Sequence, residues 1–332
     1  MKQAFLTTVL TIGLAATALA ASQTEIELQG NFEGMATAPS GETMPLTAQI
    51  VALGKGKHVA KIHVGDGVVE LQGINQGKLE DGIIIYENTI DLGPDLGGEF
   101  KISGKVQNRV FSGTAESAEG MHKFSLDRVE KKSPTLGQQP PEGAIVLMDG
   151  TNMDAWDVRP YWQVIGDGAM GMRGGSIVSK QEFGSAQYHI EFKTPFMPEE
   201  SPGGQGRGNS GVYLMGRYEL QVLDSFTDEP MDNRCGGIYK KAVPVTNASL
   251  PPEEWQTYDI TFHAPQYDGN GAKTKDAVLT VVHNGTTIHN NAVLPDVTPG
   301  GVSGEEAPKG VLMLQDHHDD VNYRNIWVKP LD

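Results

Sequence analysis

The residues best suited to chemistry lie in Gly208–Ser225, read GNSGVYLMGRYELQVLDS, which holds two carboxylates, Glu219 and Asp224. Polar and apolar residues alternate along this stretch, which is typical of a β-strand. Alternate side chains share a face, so Glu219 and Gln221 should point together while Leu220 faces the core. Asp224 should turn to the core side unless the strand ends before it. We therefore predict that Glu219 and Gln221 form the polar floor of a binding cleft. Alternation does not place Asp224 on the same face, so the two carboxylates are not automatically a catalytic pair.

A glycine-rich turn leads into this strand. Gly208-Asn209-Ser210-Gly211 combines close backbone approach with two short hydrogen-bonding side chains. A plain hairpin turn and a ligand-binding loop both fit this composition. The Pro- and Gly-rich segment Phe196–Gly208 directly before it favours a functional loop. Asn209 and Ser210 are therefore candidate substrate-binding residues.

A second polar set lies near the end of the chain. In the predicted strand that ends at His317, Gln315 and His317 share one face and Asp316 takes the other. Arg324 comes shortly afterwards, where a guanidinium could clamp hydroxyl groups or a carboxylate. The alternative is that Arg324 forms a structural ion pair, for example with Asp316 or Glu219. Glu219 and His317 are the candidate catalytic residues, and Gln221, Gln315 and Arg324 are candidate substrate-binding residues.

A metal site is an open alternative for part of this set. Imidazole and carboxylate groups suit Zn²⁺ or Mn²⁺, and oxygen ligands suit Ca²⁺. The candidate ligands are Asp224, Asp316 and His317, so a divalent cation is compatible with the sequence although no cofactor is certain. A solvated turn at 318–320 is the competing interpretation. The sequence contains no nucleophile elbow, P-loop or dinucleotide-binding fingerprint.

The elements that must position these residues are short strands. Gln187–Thr194, Trp255–His263 and Ala277–Val282 alternate well, and Val311–His317 and Tyr323–Val328 should close the domain. His283-Asn284-Gly285-Thr286 is a strong hairpin turn. No segment shows helical periodicity. Residues 143–332 therefore predict two packed antiparallel sheets, a jelly-roll β-sandwich.

The preceding residues predict a separate small domain. Residues 24–132 contain short alternating runs separated by Gly, Asn and Asp clusters, starting with Glu25–Leu28. This spacing indicates an accessory antiparallel sandwich or barrel, without a catalytic constellation. The next segment, 133–142, is rich in Pro, Gln and Gly and predicts an extended linker.

Composition and the first residues bear on location. The chain has 332 residues and a net charge of −16, which opposes binding to nucleic acid or an anionic membrane. Residues 1–20 read as a signal peptide, with cleavage after Ala18-Leu19-Ala20. We therefore expect a secreted or periplasmic protein that is free of the membrane once the signal is removed. Cys235 is the only cysteine, so the chain should have no internal disulfide.

Taken together, several modest motifs in residues 143–332 resemble the 3-keto-disaccharide hydrolase family, formerly a domain of unknown function. They are Met148-Asp149-Gly150 with Trp156, Trp162 to Gly168, Gly208-Asn209-Ser210-Gly211, Tyr218 to Asp224, Gly237-Ile238-Tyr239, Glu254-Trp255, Asn284-Gly285, and Leu314 to His317 with Arg324-Asn325-Ile326. This chain has Tyr323 where Phe is usual, and His318-Asp319-Asp320 replaces a Gly-containing turn. The resemblance implies a concanavalin A-like jelly roll and leaves residues 24–132 outside it.

The resemblance also implies a reaction, the cleavage of glycosides whose sugar is oxidised at C3. A C3 ketone acidifies the C2 hydrogen, so a base can remove it and expel the C1 substituent, after which water adds back. This route needs a base, an acid and a group that holds the enolate oxygen. Two other functions stay open. The fold could only bind carbohydrate, as lectins and binding modules do, or it could be an ordinary glycosidase, which needs two carboxylates facing the sugar.

Overall fold

A computed structural model describes residues 25–64, 67–74, 82–93, 98–157, 162–171, 174–200 and 203–331. The predicted signal peptide, residues 1–20, lies outside these residues. The chain divides into two compact units, Met1–Lys131 and Lys132–Asp332. Nearly all regular structure in the described residues is antiparallel strand, which confirms the all-β prediction. No helix in these residues is both long and apolar enough to span a membrane.

The first unit is a closed barrel in which each strand pairs with the next and the last pairs with the first. Its strands are β1 (Gly30–Thr37), β2 (Thr43–Ala52), β3 (Lys57–Val64), β4 (Gly67–Ile74), β5 (Ile83–Asp91), β6 (Glu99–Gln107), β7 (Val110–Ser117) and β8 (Gly120–Val129). Alternation decides which side chains enter the barrel: Phe124 and Leu126 are buried, while Lys123 and Ser125 are exposed. Among the described strands of this unit, closure leaves no free sheet edge.

The predicted strand at Glu25–Leu28 is wrong. These residues form a single helical turn, with Gln29 N donating to Glu25 O at 3.2 Å. The barrel is already complete without them, and the turn places Leu28 in the barrel core. Alternation over only four residues could not exclude this outcome.

The second unit is a sandwich of two antiparallel sheets, as the jelly-roll prediction requires. The smaller sheet has the order β10-β13-β22-β15-β16, and the larger has the order β11-β12-β23-β14-β17-β20-β21, with β9 also paired to β23. Strands β18 and β19 form a separate ribbon. The elements are β9 (Ile145–Met148), β10 (Trp156–Asp157), β11 (Gln163–Val164), a 3-10 turn (Gly166–Gly168), β12 (Met170–Gly171), β13 (Ile177–Phe183), β14 (Ala186–Lys193), β15 (Ser210–Leu214), β16 (Tyr218–Val222), β17 (Gln256–His263), β18 (Gln266–Tyr267), β19 (Lys273–Lys275), β20 (Ala277–His283), β21 (Thr286–Leu294), β22 (Gly310–Leu314) and β23 (Asn322–Pro330).

One apolar core lies between the two sheets. It joins side chains of the smaller sheet, such as Leu220 and Leu312, to side chains of the larger sheet, such as Ile190 and Phe262. The predicted hairpin between β20 and β21 is confirmed, since Asn284 and Gly285 both adopt positive φ, at 50° and 83°.

The closing strands differ from their predicted bounds. Strand β22 ends at Leu314, so Gln315, Asp316 and His317 belong to the following loop and do not continue its alternation. In β23, a register shift beside Asn325, whose φ is 42°, interrupts the pairing with β14.

The segment predicted as a linker is held against the outer face of the larger sheet. Ser133 Oγ lies 2.6 Å from Thr257 Oγ1, and Thr135 Oγ1 donates to Asp259 Oδ2 at 2.6 Å. Gly137 N donates to the carboxylate of Glu191. The first residues of this segment are thus part of the second unit rather than a free tether.

Candidate active site on the smaller sheet

Two residue pairs of the neighbouring strands β15 and β16 lie on the outer face of the smaller sheet, which is the face turned away from the core. In the register of β15 and β16, Tyr213 lies opposite Glu219 and Gly211 lies opposite Gln221. The alternate residues Val212 and Leu220 enter the core. The arrangement predicted for Glu219 and Gln221 from alternation is therefore the one observed.

Glu219 is an enclosed carboxylic acid, with 3% of its surface exposed. Tyr213 Oη donates to Glu219 Oε2 at 2.7 Å, and Gln315 Nε2 donates to Tyr213 Oη at 3.2 Å. The Glu219 backbone N–H donates to Thr298 Oγ1 at 2.8 Å. Burial raises the pKa of Glu219 to about 7, although the hydrogen bond from Tyr213 opposes the rise. Near neutral pH this group can both accept and return a proton.

Glycines leave room around this carboxylate and its partner. A Cβ on Gly211 would lie 2.6 Å from Glu219 Oε1 and 3.0 Å from the Tyr213 ring. A Cβ on Gly300, whose φ is 86°, would lie 2.6 Å from Tyr213 Oη. Only residues without a side chain fit these two positions without displacing the pair.

Gln221 supplies a side-chain acceptor that receives no hydrogen bond from the described residues. Its side chain is 2% exposed, and within the described chain its buried Oε1 has no hydrogen-bond partner. Its backbone is fully engaged with the segment before Ile238, because its N–H donates to Gly237 O and its carbonyl accepts from Gly236 N. A buried acceptor left open on the same face as Glu219 is where a ligand hydroxyl could donate.

The two polar residues of the glycine-rich turn are bound by the protein itself. Asn209 Nδ2 donates to Gln205 O at 2.9 Å. Ser210 lies on the core side of β15, where its Oγ donates to Gln315 O at 2.7 Å and also lies 2.7 Å from Tyr323 Oη. The structure therefore uses both side chains to hold loops, and Ser210 fixes the backbone of Gln315.

The loop after β22 contains two more of the predicted site residues, Asp316 and His317. His317 is exposed two positions beyond Gln315. The Asp316 carboxylate accepts from Gly175 N at 2.5 Å and from His318 N at 2.8 Å. Asp319 accepts from Asn209 N at 2.7 Å, and its pKa is raised by burial. Asp316 and Asp319 thus tie this loop to its neighbours.

The predicted metal ligands are not brought together. Asp224 follows the end of β16, beside the Arg207 guanidinium, and burial raises the pKa of Asp224 to about 7. Asp316 is bound to the turn at Gly175. Within the described ranges, no group of three or more His, Cys, Asp or Glu side chains is arranged to hold a metal ion.

Arg324 lies on the larger sheet and does not join Glu219. Its Nε donates to Glu191 Oε2 at 2.7 Å, and its guanidinium lies 4.0 Å from the centre of the Trp255 ring. Glu191, 1% exposed, also accepts from Asn325 Nδ2 at 2.9 Å. Hydrogen bonds from His189, Asn325 and Arg324 overcome the effect of burial and hold the pKa of Glu191 at about 2. The ion-pair interpretation of Arg324 is the observed one, with Glu191 as the partner.

Sequence reasoning missed Tyr213 and Thr298, which both contact Glu219. A signal for Tyr213 was present, because alternation in β15 puts it on the same face as Gly211. No comparable signal marks Thr298, which reaches Glu219 from a loop distant in sequence.

Comparisons with known proteins agree on the second unit. The model of the 3-keto-alpha-glucoside-1,2-lyase-like domain matches residues 143–329. A crystal structure of a candidate glycosyl hydrolase from Parabacteroides distasonis ATCC 8503, at 2.13 Å, is 34% identical with a TM-score of 0.52, covering 57% of this chain and 85% of that one.

Two further candidate glycosyl hydrolases from the same organism are less similar. They are 20% and 21% identical, with TM-scores of 0.43 and 0.42; each covers 57% of this chain, and 95% and 99% of its own. No curated protein matches the chain. On the strength of the domain match and the 34% identical relative, this chain belongs to the family of the 3-keto-alpha-glucoside-1,2-lyase-like domain.

Proposed function

We propose that this protein is a glycoside-cleaving hydrolase that acts on 3-keto-glycosides at the outer face of the smaller sheet. Membership of the family and the 34% identical candidate glycosyl hydrolase support the hydrolase class. The observation that carries the site is the buried Glu219 carboxyl, whose pKa of about 7 suits proton abstraction near neutral pH. Gln221 Oε1, an acceptor without a donor in the described chain, lies on the same face.

In the proposed reaction, ionised Glu219 removes the proton from C2, and the C–H electron pair forms the enolate with the C3 ketone. The enolate then collapses: the C1–O bond breaks and the leaving alkoxide takes a proton from an acid. Water adds across the resulting C1=C2 bond, with its hydroxyl going to C1 and a proton to C2. The net change is hydrolysis, and Glu219 can return the proton it removed.

Neighbouring groups have proposed parts in these steps. Gln315 has a second side-chain N–H besides the one bound to Tyr213, and we assign it to the enolate oxygen. Gln221 Oε1 would accept from a sugar hydroxyl. His317, exposed in the loop after Gln315, is the proposed acid. A divalent cation is the alternative holder of the enolate oxygen, and assays with and without EDTA test it.

Incubation with a 3-keto-disaccharide and with its unoxidised parent tests the proposal. Release of sugar from the keto substrate alone supports it. Saturable binding without release would favour a carbohydrate-binding protein, and cleavage of the parent would favour an ordinary glycosidase.

Variants then assign the residues. Glu219→Gln and His317→Ala should each reduce turnover, whereas Asp224→Asn, away from the proposed machinery, should keep it. Wild-type turnover by both Glu219→Gln and His317→Ala, with normal folding, would overturn the assignment.

A further inference from the structure

The barrel of the first unit contains a cavity of about 250 Å³ that the proposed reaction does not use. It lies at the rim where odd-numbered strands end and even-numbered strands begin. The lining residues are Ala36, Met44, Leu46, Ile62, Val64, Val69, Ile90, Leu92, Phe100, Ile102, Ala115, His122, Lys123 and Phe124. Twelve of these fourteen are aliphatic or aromatic, so the cavity favours an apolar occupant.

The opposite half of the barrel is filled, which confines the cavity to one end. Phe111, near the start of β7, has its ring centre 5.1 Å from that of Tyr86 and 5.0 Å from that of Phe124. Phe32, near the start of β1, packs edge-on against Phe111 at 6.5 Å. All of these rings except Phe124 are fully enclosed, while Phe124 is 8% exposed and lines the cavity floor. The barrel is thus a cup with an aromatic base, a shape in which a barrel of this size holds one small ligand.

One residue of the lining, His122, has a polar atom without a hydrogen-bond partner among the described residues. His122 Nε2 is buried and has no hydrogen-bond partner in the described part of the chain. The imidazole packs edge-on against Phe100, with ring centres 5.6 Å apart, so its ring is held in place by contacts at the rim. Lys123, the next residue, borders the cavity only at the rim, because alternation turns its side chain to the outside of β8. An imidazole N–H beside an apolar cup matches a ligand with an acidic head and an aliphatic tail.

We propose that the barrel binds an unbranched aliphatic carboxylate of medium length, with the tail in the cup and the carboxylate at His122. The cavity of about 250 Å³ has room for about eight groups of the size of a water molecule, at ~30 Å³ each. This size predicts a tail of about eight methylene-sized groups. The proposal does not depend on the reaction assigned to the second unit.

Calorimetric titration of the full chain with saturated carboxylates from butanoate to dodecanoate tests the size of the cup. Each added methylene should tighten binding about fourfold while it still enters apolar surroundings. The gain should stop near eight to ten carbons, once the tail outgrows the cavity. Absence of saturable binding across the series, or a gain that continues unchanged to dodecanoate, would overturn the proposal.

Matched variants test the location. Ala115 lines the cavity, whereas its neighbour Thr114 alternates to the outside of β7. Ala115→Phe should weaken decanoate binding at least tenfold, and Thr114→Phe should leave it within about twofold. If Ala115→Phe and Thr114→Phe both fold, as judged by wild-type circular dichroism, and bind decanoate equally well, the ligand lies elsewhere and the proposal is refuted.

The head group is tested by comparing decanoate with decanol. Wild type should bind decanoate more tightly than decanol, and His122→Leu should lose that preference while it still binds decanol. This variant also tests the location of the ligand if Ala115→Phe does not fold. A preference that survives in His122→Leu would contradict the role of His122. A phospholipid tail is the other source of an aliphatic chain: co-sedimentation with phosphatidylcholine vesicles in the absence of decanoate binding would also refute the proposal.

Discussion

Replacing Glu219 by Gln should reduce turnover and at the same time stabilise the second unit at alkaline pH. The folded protein raises the pKa of this carboxyl from about 4.5 to about 7 because burial disfavours the charged form. Below pH 4.5 the acid is neutral in both folded and unfolded states. Between pH 4.5 and 7 the unfolded chain ionises while the folded carboxyl stays largely neutral, so stability is lost as the pH rises through this range and levels off above it.

The size of the effect follows from the pKa difference. A shift of one pKa unit corresponds to about 1.4 kcal/mol, so ionising Glu219 in the fold costs about 3 kcal/mol above neutral pH. Gln cannot ionise, and its side-chain oxygen can still accept from Tyr213. We therefore expect Glu219→Gln to match wild type at pH 4 and to exceed it by up to about 3 kcal/mol at pH 9, which is roughly 6–12 °C in Tm for a unit of this size.

Tryptophan fluorescence isolates the relevant unit, because all four tryptophans, at 156, 162, 255 and 327, lie in the second unit. Urea denaturation followed by this signal at several pH values gives the free energy of unfolding. The reasoning is refuted if wild type and Glu219→Gln show the same dependence of stability on pH.

Asp224→Asn is the matched control for this experiment. Burial also raises the pKa of Asp224 to about 7, so this variant should likewise gain stability as the pH rises. It should keep its turnover, because Asp224 lies beside Arg207 and outside the proposed machinery. Loss of turnover in Asp224→Asn alone, with Glu219→Gln active, would exchange the roles of the two carboxylates.

Three further variants separate the remaining assignments. Tyr213→Phe removes the hydrogen bond that lowers the pKa of Glu219, so the acidic limb of the kcat/KM profile should move to higher pH; a shift to lower pH would contradict this role. Gly211→Ala should push the Glu219 carboxylate aside and reduce turnover about tenfold or more, while Gly171→Ala, whose Cβ would meet nothing closer than 3.5 Å, should be neutral; equal turnover in both would refute the steric argument. Arg324→Ala removes one charged partner of the buried Glu191 carboxylate and leaves His189 and Asn325 in contact with it, so the free energy of unfolding should fall by about 2 kcal/mol. Turnover of the folded enzyme should not change, whereas a raised KM at unchanged stability would assign Arg324 to substrate binding.

Alternation was the part of the sequence that predicted structure well. It assigned Glu219 and Gln221 to one face of β16 and the intervening Leu220 to the core, and the structure has that arrangement. The Asn284-Gly285 turn was equally local, since both residues tolerate the positive φ that the hairpin requires. Such features depend on a few consecutive residues, so the sequence contains them.

Alternation failed where the strand pattern itself stopped. The sequence pattern predicted a strand that continues to His317, but β22 ends at Leu314 and a loop follows. Gln315 is then oriented by Ser210 and by the pairing of its N–H with Gly211 O, which are contacts from another strand. The sequence of a short polar stretch does not predict at which residue the strand stops pairing with its neighbour.

The sequence alone determined the β class, the face of Glu219 and Gln221 in β16, and the family to which residues 143–329 belong. The tertiary structure decided which strands are neighbours, and so it placed Tyr213 and Gln315 at Glu219 and sent Arg324 to Glu191 on the other sheet. It also closed the barrel and left its apolar cup. These outcomes depend on pairing between residues far apart in the chain and on burial from several elements at once, which no periodicity along a single strand encodes.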